Sequence, residues 1–535
     1  MLRLQQQPCS GAAAQQAQAV ARLPTATRRH RLSVTAAASP TTGADNGRPT
    51  GPGAKKVLVV GGGWAGFGAV KHLAEQGYNV TLLDAAENPG GLSAGWRTPQ
   101  GRAVEAGVKG FWYQYHNVFK MVKELGIPWP FTDFETSGFW GSDGKLITQA
   151  PVFSKQPRLP AILGQFVHTF NLFDNLPLAN RATIIPWLYS AIDLGSTPGN
   201  YERYDKMTAL EMFRSFGVTQ RAYEQFLKPT LLVGLFAPPE ELSAAVTIET
   251  LYFYALAHQS DFDVCWCKGS VSELIFAPLI ERIKQQGGKI QGGRLVSGIE
   301  TDAAGNVTAL VARNTASGAE ERYEADAVVF AISIAGMQRL VQANRALADR
   351  REFRDSTASR LASGLTAASP RNLHDEYKNE PGTVVAADFY GSTRLMPLTD
   401  EEIVRKVVSN MALCEPAFRD AKVVDSAVLR FPRAVTHFSP GSAQWRPTQA
   451  TSFGNLFLAG DWVKGLQHGA NGLSQERAYV SGLEAANLVV GRLGHGERAD
   501  ILPVEPDEPH IAAAKELNRS VKGALYAAGM RSPFL

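Results

Sequence analysis

Three glycines in the spacing Gly61-x-Gly63-x-x-Gly66 follow Val57 to Val60, an apolar run rich in β-branched residues. A run of that kind reads as a buried parallel strand. Ala65 to Gln76 then has a helical apolar face through Val70, Leu73 and Ala74, and Gly77 stands where a left-handed cap is common. Val80 to Leu83 reads as a second strand with Asp84 at its end. The chemistry of this pattern is dinucleotide binding. Gly61 permits a tight turn, Gly63 lets backbone approach a pyrophosphate, and Gly66 lets helix and strand pack closely. Trp64 and Ala65 open the helix, whose unpaired N–H groups and positive dipole end suit the phosphates. Asp84 is placed to accept hydrogen bonds from a ribose diol.

A second constellation lies near the other end of the chain. Asn455 to Leu458 is an apolar strand leading into Ala459-Gly460-Asp461, and Gly465 to Gly472 is a glycine-rich loop feeding a helix over Leu473 to Val490. This is again a polyol- or phosphate-binding geometry at the carboxyl end of a strand. Asp461 could bind a ribityl hydroxyl. The helix start at Gly472-Leu473 could face a flavin pyrimidine, where the dipole would stabilise the charge acquired on reduction.

Between these constellations the chain changes character. Gly90-Gly91-Leu92 offers backbone to a phosphate or ring, and Val104 to Tyr113 is glycine-rich and then aromatic. Residues 159–194 carry many apolar and few charged side chains, and helices are expected over 208–216, 220–233 and 239–258. That insertion reads as a core layer, or as an apolar substrate tunnel with a membrane-facing lip. β-Structure resumes through Leu295 to Ile299 and ends in the buried strand Asp326 to Ala331. Residues 344–380 show no alternating apolar run and are expected to be poorly structured.

The whole chain sets bounds on partners. It has 535 residues, with 54 Lys and Arg against 50 Asp and Glu. Residues 1–50 hold six of the Arg and a single acid, Asp45, so the body is close to neutral and no nucleic-acid partner is indicated. That leader is rich in Ala, Gln, Ser, Thr and Arg without an apolar h-region. It fits an organelle transit peptide, plastid before mitochondrion, with Val34 to Ala36 as a processing neighbourhood. Four Cys and ten His show no disulfide or metal-ligand spacing, so no metal is expected.

Taken together, the motifs resemble the FAD-dependent amine oxidase superfamily and, within it, plant-type carotene desaturases. Glu105 to Asn117 (EAGVKGFWYQYHN) resembles their E-x-G-x-H-x-F-F-G-x-Y-P-N, and Pro239 to Ser243 (PEELS) their P-[DE]-E-L-S. Lys268 to Pro278, Phe431 to Val435 and Arg446-Pro447 match further blocks. Leu458 to Asp461 and Ser474 to Gly482 (SQERAYVSG) resemble L-A-G-D and S-M-E-G-A-V-L-S-G. The departures are Lys109 for a His, Trp462-Val463 for Tyr-Thr and Arg477 for a Gly.

The resemblance implies an α/β fold: a Rossmann-like FAD-binding domain with an inserted helical and mixed-sheet substrate domain. The expected division is a transit peptide and disordered linker at 1–50, FAD-binding parts at 54–140, 259–335 and 451–495, a helical insertion at 141–258, a second substrate part at 336–450, and a tail at 496–535. It implies hydride transfer from an apolar polyene to FAD, a quinone-type acceptor and peripheral membrane association. The expected cofactor set is Gly61, Gly63, Trp64, Ala65, Gly66, Asp84, Gly90, Gly91, Leu92, Gly107, Val108, Val296, Gly460, Asp461, Gly472 and Leu473. Lys109 is the expected ionisable neighbour of the flavin ring. The rival readings are a flavin amine oxidase, a redox-neutral polyene isomerase using reduced FAD, and a non-catalytic flavin- or lipid-binding protein. Against the amine oxidase stands Ser474, at a position those enzymes fill with an aromatic.

Overall fold

The computed structural model describes residues 2–5 and 54–529, apart from 100, 174, 198, 369–373, 378, 380, 381 and 471. The processing neighbourhood at 34–36 lies outside the described residues, as do residues 530–535 of the tail.

A five-stranded parallel sheet organises the fold. Its strands are β1 (Lys56–Val60), β2 (Asn79–Leu83), β3 (Lys289–Gln291), β4 (Ala327–Phe330) and β5 (Leu456–Leu458), in the spatial order β3-β2-β1-β4-β5. Apart from the edge strand β3, whose sequence is Lys-Ile-Gln, the strands are short and largely apolar because both faces are covered. Val57, Val59, Val80 and Val329 pack on one face with the helix α1 (Trp64–Glu75), while Leu58, Val60, Leu83 and Phe330 pack on the other with Met337 and Leu340. The register puts Val60 opposite both Leu83 and Phe330, and Phe330 opposite Leu458. Four strands therefore end in one row, and the segments beginning at Gly61, Asp84, Ala331 and Ala459 leave the sheet along a single edge. The helix α2 (Gln475–Leu493) returns across α1 in backbone contact. A Cβ on Gly482 would lie 2.0 Å from the Ala65 carbonyl oxygen, and one on Gly68 2.6 Å from that of Tyr479.

The connection from β3 to β4 is the expected meander, an antiparallel sheet of Arg294–Thr301, Val307–Asn314 and Glu320–Glu324. The insertion after residue 160 is helical around Trp187, Tyr204, Phe213, Leu231 and Ile248. It also exposes Leu163, Phe166, Val167, Phe170, Leu178 and Ile185, each at least 40% accessible. Two of the long helices expected there are interrupted: π-helical turns at Tyr223–Leu227 and Tyr252–Leu256 shift the apolar face where one turn meets the next.

Two expectations are corrected. Residues 344–380 are not devoid of structure. Helices cover Arg345–Ala348 and Arg351–Ser356, and Arg360–Ala368 is a strand inside a second, antiparallel sheet, between Thr383–Tyr390 and Val428–His437. Its sequence, RLASGLTAA, lacks alternation because small residues fill most of it; pairing on both edges, not its own propensity, holds it extended. The leader is not wholly without structure either. Leu2–Gln5 forms a strand between Thr383–Tyr390 and Lys422–Asp425 in that same sheet. The tail beyond α2 ends in a helix, Pro509–Ala527, packed on Ile185–Leu194.

Candidate flavin-binding site

The first loop has the geometry that its glycines require. Gly61 has φ +102°, and a Cβ there would meet the Ala331 carbonyl oxygen at 2.5 Å. At Gly66 a Cβ would lie 1.8 Å from the Gly61 oxygen, so the helix sits directly on the turn. Gly63 differs: its nearest neighbour would be the Gly91 Cα at 3.8 Å, and beyond it is open space. No side chain caps α1, and among the described residues the amides of Trp64 and Ala65 have no acceptor. Bare amides beside a glycine with nothing above it are what a pyrophosphate needs.

Asp84 takes the Gly62 N–H at 2.5 Å and the Ala86 N–H at 2.7 Å. It thus ties the glycine loop to the end of β2 and presents a carboxylate there. The Gly90-Gly91 pair folds onto the same loop, since a Cβ on Gly91 (φ +56°) would lie 3.1 Å from the Gly63 Cα. Leu92 beside it is 43% exposed. The Trp64 indole donates to Ser93 Oγ at 3.0 Å and packs edge-on against Phe276, which locks the pair to the start of α1. Val296 lies two residues after Arg294, whose N–H donates to the Asp84 carbonyl at 2.7 Å.

The second loop leaves the adjacent strands. Gly460 has φ +135°, and its N–H donates to Ser481 Oγ at 2.7 Å. Trp462, fully buried, donates its indole N–H to the Ile332 carbonyl at 3.1 Å, against the first loop's neighbour. Burial pushes the Asp461 carboxyl up to about 6, against the pull of the Arg477 and Arg446 guanidiniums. Ser474 caps α2 by accepting the Arg477 N–H at 3.2 Å, and the amides of Gln475 and Glu476 have no acceptor among the described residues. A Cβ on Gly472 would touch Thr250 Oγ at 3.0 Å and Leu235 at 3.2 Å, so the helical insertion abuts this loop, with Leu473 packed on its core.

The third segment, Glu105 to Lys109, lies beside α1 because Phe111 packs on Trp64. The Glu105 carboxylate accepts from Ser270 Oγ at 2.8 Å and from the Ser272 N–H at 3.1 Å. Gly107 (φ +78°) faces Asp388, whose carboxylate oxygen would lie 3.1 Å from a Cβ there. Two residues on, Tyr390 packs edge-on against Phe236 of the insertion, ring centres 4.4 Å apart. The Lys109 ammonium turns back on its own segment, donating to the Ala106 and Gly107 carbonyls. Burial lowers its pKa, opposed by Glu105 and Asp388.

The sequence reading missed two buried cations. Arg477 and Arg446 are 0% and 4% exposed, and both donate to carbonyls of the 461–470 loop. Arg477 was visible only as a departure from a glycine; nothing in its neighbours distinguishes a buried arginine from a surface one.

Two glycine-fed helix starts at one sheet edge, with an inserted helical and mixed-sheet body, are the architecture of a dinucleotide-binding fold. The chain belongs to the flavin containing amine oxidoreductase family, whose sequence model matches residues 65–490. It is an FAD-dependent enzyme of that family. It is 23% identical over 482 residues to a probable zeta-carotene desaturase of Synechococcus elongatus, covering 81% of this chain and 98% of that protein. It is 24% identical over 474 residues to the chloroplastic/chromoplastic 15-cis-phytoene desaturase of Solanum lycopersicum, covering 83% and 78%. Among solved structures it is similar in fold to cyclohexylamine oxidase from Brevibacterium oxydans, with a TM-score of 0.60 at 14% identity, covering 83% of this chain and all of that one.

Proposed function

We propose that the protein is a desaturase of an apolar, carotenoid-type polyene. The supporting observation is that curated relatives over four-fifths of the chain are named carotene desaturases. The residues that would hold FAD are the Gly61 to Gly66 loop with Asp84 at the phosphate and ribose end, Gly90-Gly91 above it, and Gly460, Asp461 and the start of α2 at the flavin end. FAD bound there supplies a two-electron acceptor for the hydride that leaves the polyene as a neighbouring carbon loses a proton, with a quinone-class compound as final oxidant.

The protein's own contribution is orientation and exclusion of water. Leu235, Phe236 and Tyr390 wall the side of the site that the insertion covers. The Lys109 side chain is tied to the Ala106 and Gly107 carbonyls of its own segment, and so braces the backbone at Gly107. The exposed apolar side chains from Leu163 to Ile185 fit a lip resting on a membrane surface, from which such a substrate would enter. No described helix is long and apolar enough to cross a membrane. The acid-poor leader and the plastid names of plant relatives support a plastid location.

The test is an anaerobic titration of the FAD-loaded protein. Bleaching of the flavin absorbance by a carotenoid-type polyene, with a new conjugated double bond in the product, is expected. Bleaching by primary amines, with hydrogen peroxide formed in air, would instead favour an amine oxidase, a reading to which the Asp388 carboxylate against Gly107 lends weight.

A further inference from the structure

We propose that Arg477 shapes and charges the flavin end of the site, a role that rests on the flavin reading above. Its guanidinium lies inside the 461–470 loop, which curls round it. Nε donates to the Asp461 carbonyl at 2.8 Å, Nη2 to Val463 at 2.6 Å, and Nη1 to Leu466 at 2.7 Å and Ala470 at 2.5 Å. With a longer bond from Nη1 to the His468 carbonyl at 3.3 Å, five carbonyls spread over ten residues converge on one planar cation. The rigid fork of an arginine matches that arrangement; a lysine could not reach all five.

The loop needs such a centre. Gly465, Gly469 and Ala470 have φ of +86°, +64° and +52°. For Ala470 this is a disfavoured conformation, and its carbonyl is one of those that Arg477 holds. Arg446 backs the same loop from outside, donating to the Trp462 carbonyl at 2.8 Å and the Val463 carbonyl at 3.2 Å, with its guanidinium over the Phe438 ring.

The placement also has an electrostatic consequence. Arg477 is the third residue of α2, in the same turn as the bare Gln475 and Glu476 amides. Burial and the neighbouring Arg446 push its guanidinium down to about 10, so it stays protonated at neutral pH. The charged groups facing it are Arg446, Asp461 and Glu249, with Tyr201 as a further ionisable neighbour. A fixed cation and the positive end of the helix therefore lie behind the same point. Both favour a flavin that carries negative charge on its pyrimidine side, as it does when reduced. Arg477 is a positioning residue: it touches the loop, and through the loop it sets how strongly reduced FAD is held.

The experiment measures the reduction potential of bound FAD and its affinity for sulfite, whose addition leaves the same charge on the ring. Wild-type, R477M and R477K proteins are compared at full length. Wild-type protein is expected to hold FAD at a potential above that of free FAD. In R477M the preference for reduced over oxidised FAD is expected to fall about tenfold, equal to about 30 mV for a two-electron couple, and sulfite affinity to fall with it. R477K is expected to keep most of the potential while binding FAD more weakly, because charge survives and the fork does not. An FAD-loaded R477M with unchanged potential and sulfite affinity would overturn the proposal. If R477M does not fold, R477K and wild type still decide: a lysine variant with both potential and FAD affinity unchanged, or a wild-type potential no higher than that of free FAD, would also overturn it. A wild-type protein that holds no FAD would sink the flavin reading itself, a distinguishable result.

Discussion

The nucleotide cradle and the substrate half are held together by different means. In the cradle, backbone touches backbone around the buried charges of α2 and its loop. Gly66 rests on Gly61 and Gly482 on Ala65, at separations where a methyl group does not fit. In the substrate half, buried charged side chains join elements far apart in sequence. Asp193, wholly buried, takes Lys522 and Asn518 of the terminal helix on one oxygen and Arg203 and Tyr204 of a neighbouring helix on the other. Burial alone would raise the Asp193 carboxyl, yet Lys522 and Asn518 hold it below the ordinary carboxylate range. Contacts of the first kind tolerate almost no change in residue type. Those of the second kind depend on particular pairs, which a sequence can exchange while the fold persists.

The largest effect should come from the cradle, and two glycines three residues apart separate fold from cofactor. Gly66→Val puts carbon into the Gly61 carbonyl, and soluble folded protein should be lost. Gly63→Val meets almost nothing in the chain, so the protein should fold and unfold cooperatively in denaturant, yet purify without yellow colour. If Gly63→Val retained stoichiometric FAD, the open space above that residue would not be the phosphate site.

The next effect lies in the substrate half. Lys522→Met leaves Asp193 buried without its ammonium partner. Removing one member of a buried pair costs about 3–5 kcal/mol, read as a lower denaturation midpoint. Replacing both, as Lys522→Met with Asp193→Leu, should recover part of that loss. A single variant no less stable than wild type would mean that the tail helix is not anchored by this pair.

The same contrast explains what could be read from the sequence. The cradle was legible because its constraints are constraints on residue type: a positive φ at Gly61 and a missing Cβ at Gly66 leave few alternatives, and both fall between apolar strands with a clear period. The turn at Gly460, with φ +135°, is legible for the same reason. The strand Arg360–Ala368 was not, because its small residues carry no period and its partners, Thr383–Tyr390 and Val428–His437, come later in the chain. The π-helical turns were likewise invisible, since one extra residue per turn leaves the local composition unchanged. Arg477 fell between these cases. Its position was noticed, but its burial depends on a loop that curls round it only in three dimensions.

Acidity gives a smaller effect that distinguishes a buried carboxyl in the cradle from Asp193. Glu476 is fully buried and accepts from the Asn117 and Val118 amides, and burial pushes it up to about 7. Asp461 is pushed up to about 6. A carboxyl whose folded pKa exceeds its unfolded value of about 4 favours folding when protonated. The apoprotein should therefore lose stability as pH rises from about 4 through 6 and 7, by about 3–4 kcal/mol for Glu476, and level off above. Asp193 has the opposite sign: its contribution is present above the unfolded pKa and is lost as pH falls. Denaturation midpoints measured from pH 4 to 8 should show the fall in wild type and a flatter curve in Glu476→Gln. A wild-type curve that rose across this window would contradict the burial argument for both groups.

The smallest effect tests whether the two halves differ in every respect or only in these. Trp64→Phe removes the indole N–H that Ser93 accepts in the cradle, while the ring contact with Phe276 can persist. Thr399→Ala removes the oxygen that caps Asp400–Cys414 in the substrate half, where Glu402 returns the bond to the Thr399 N–H. Each deletion ends one hydrogen bond that is neither a backbone contact nor a buried ion pair, and each should cost about 1 kcal/mol. FAD content should stay near that of wild type in both, because neither side chain lies where the pyrophosphate or the flavin is placed. Equal costs would locate the difference between the halves in the glycine contacts. A Trp64→Phe protein that lost its FAD would instead give the indole a part in holding Gly90-Gly91 over the proposed phosphate site, beside the Asp84 carboxylate that ties the same loop.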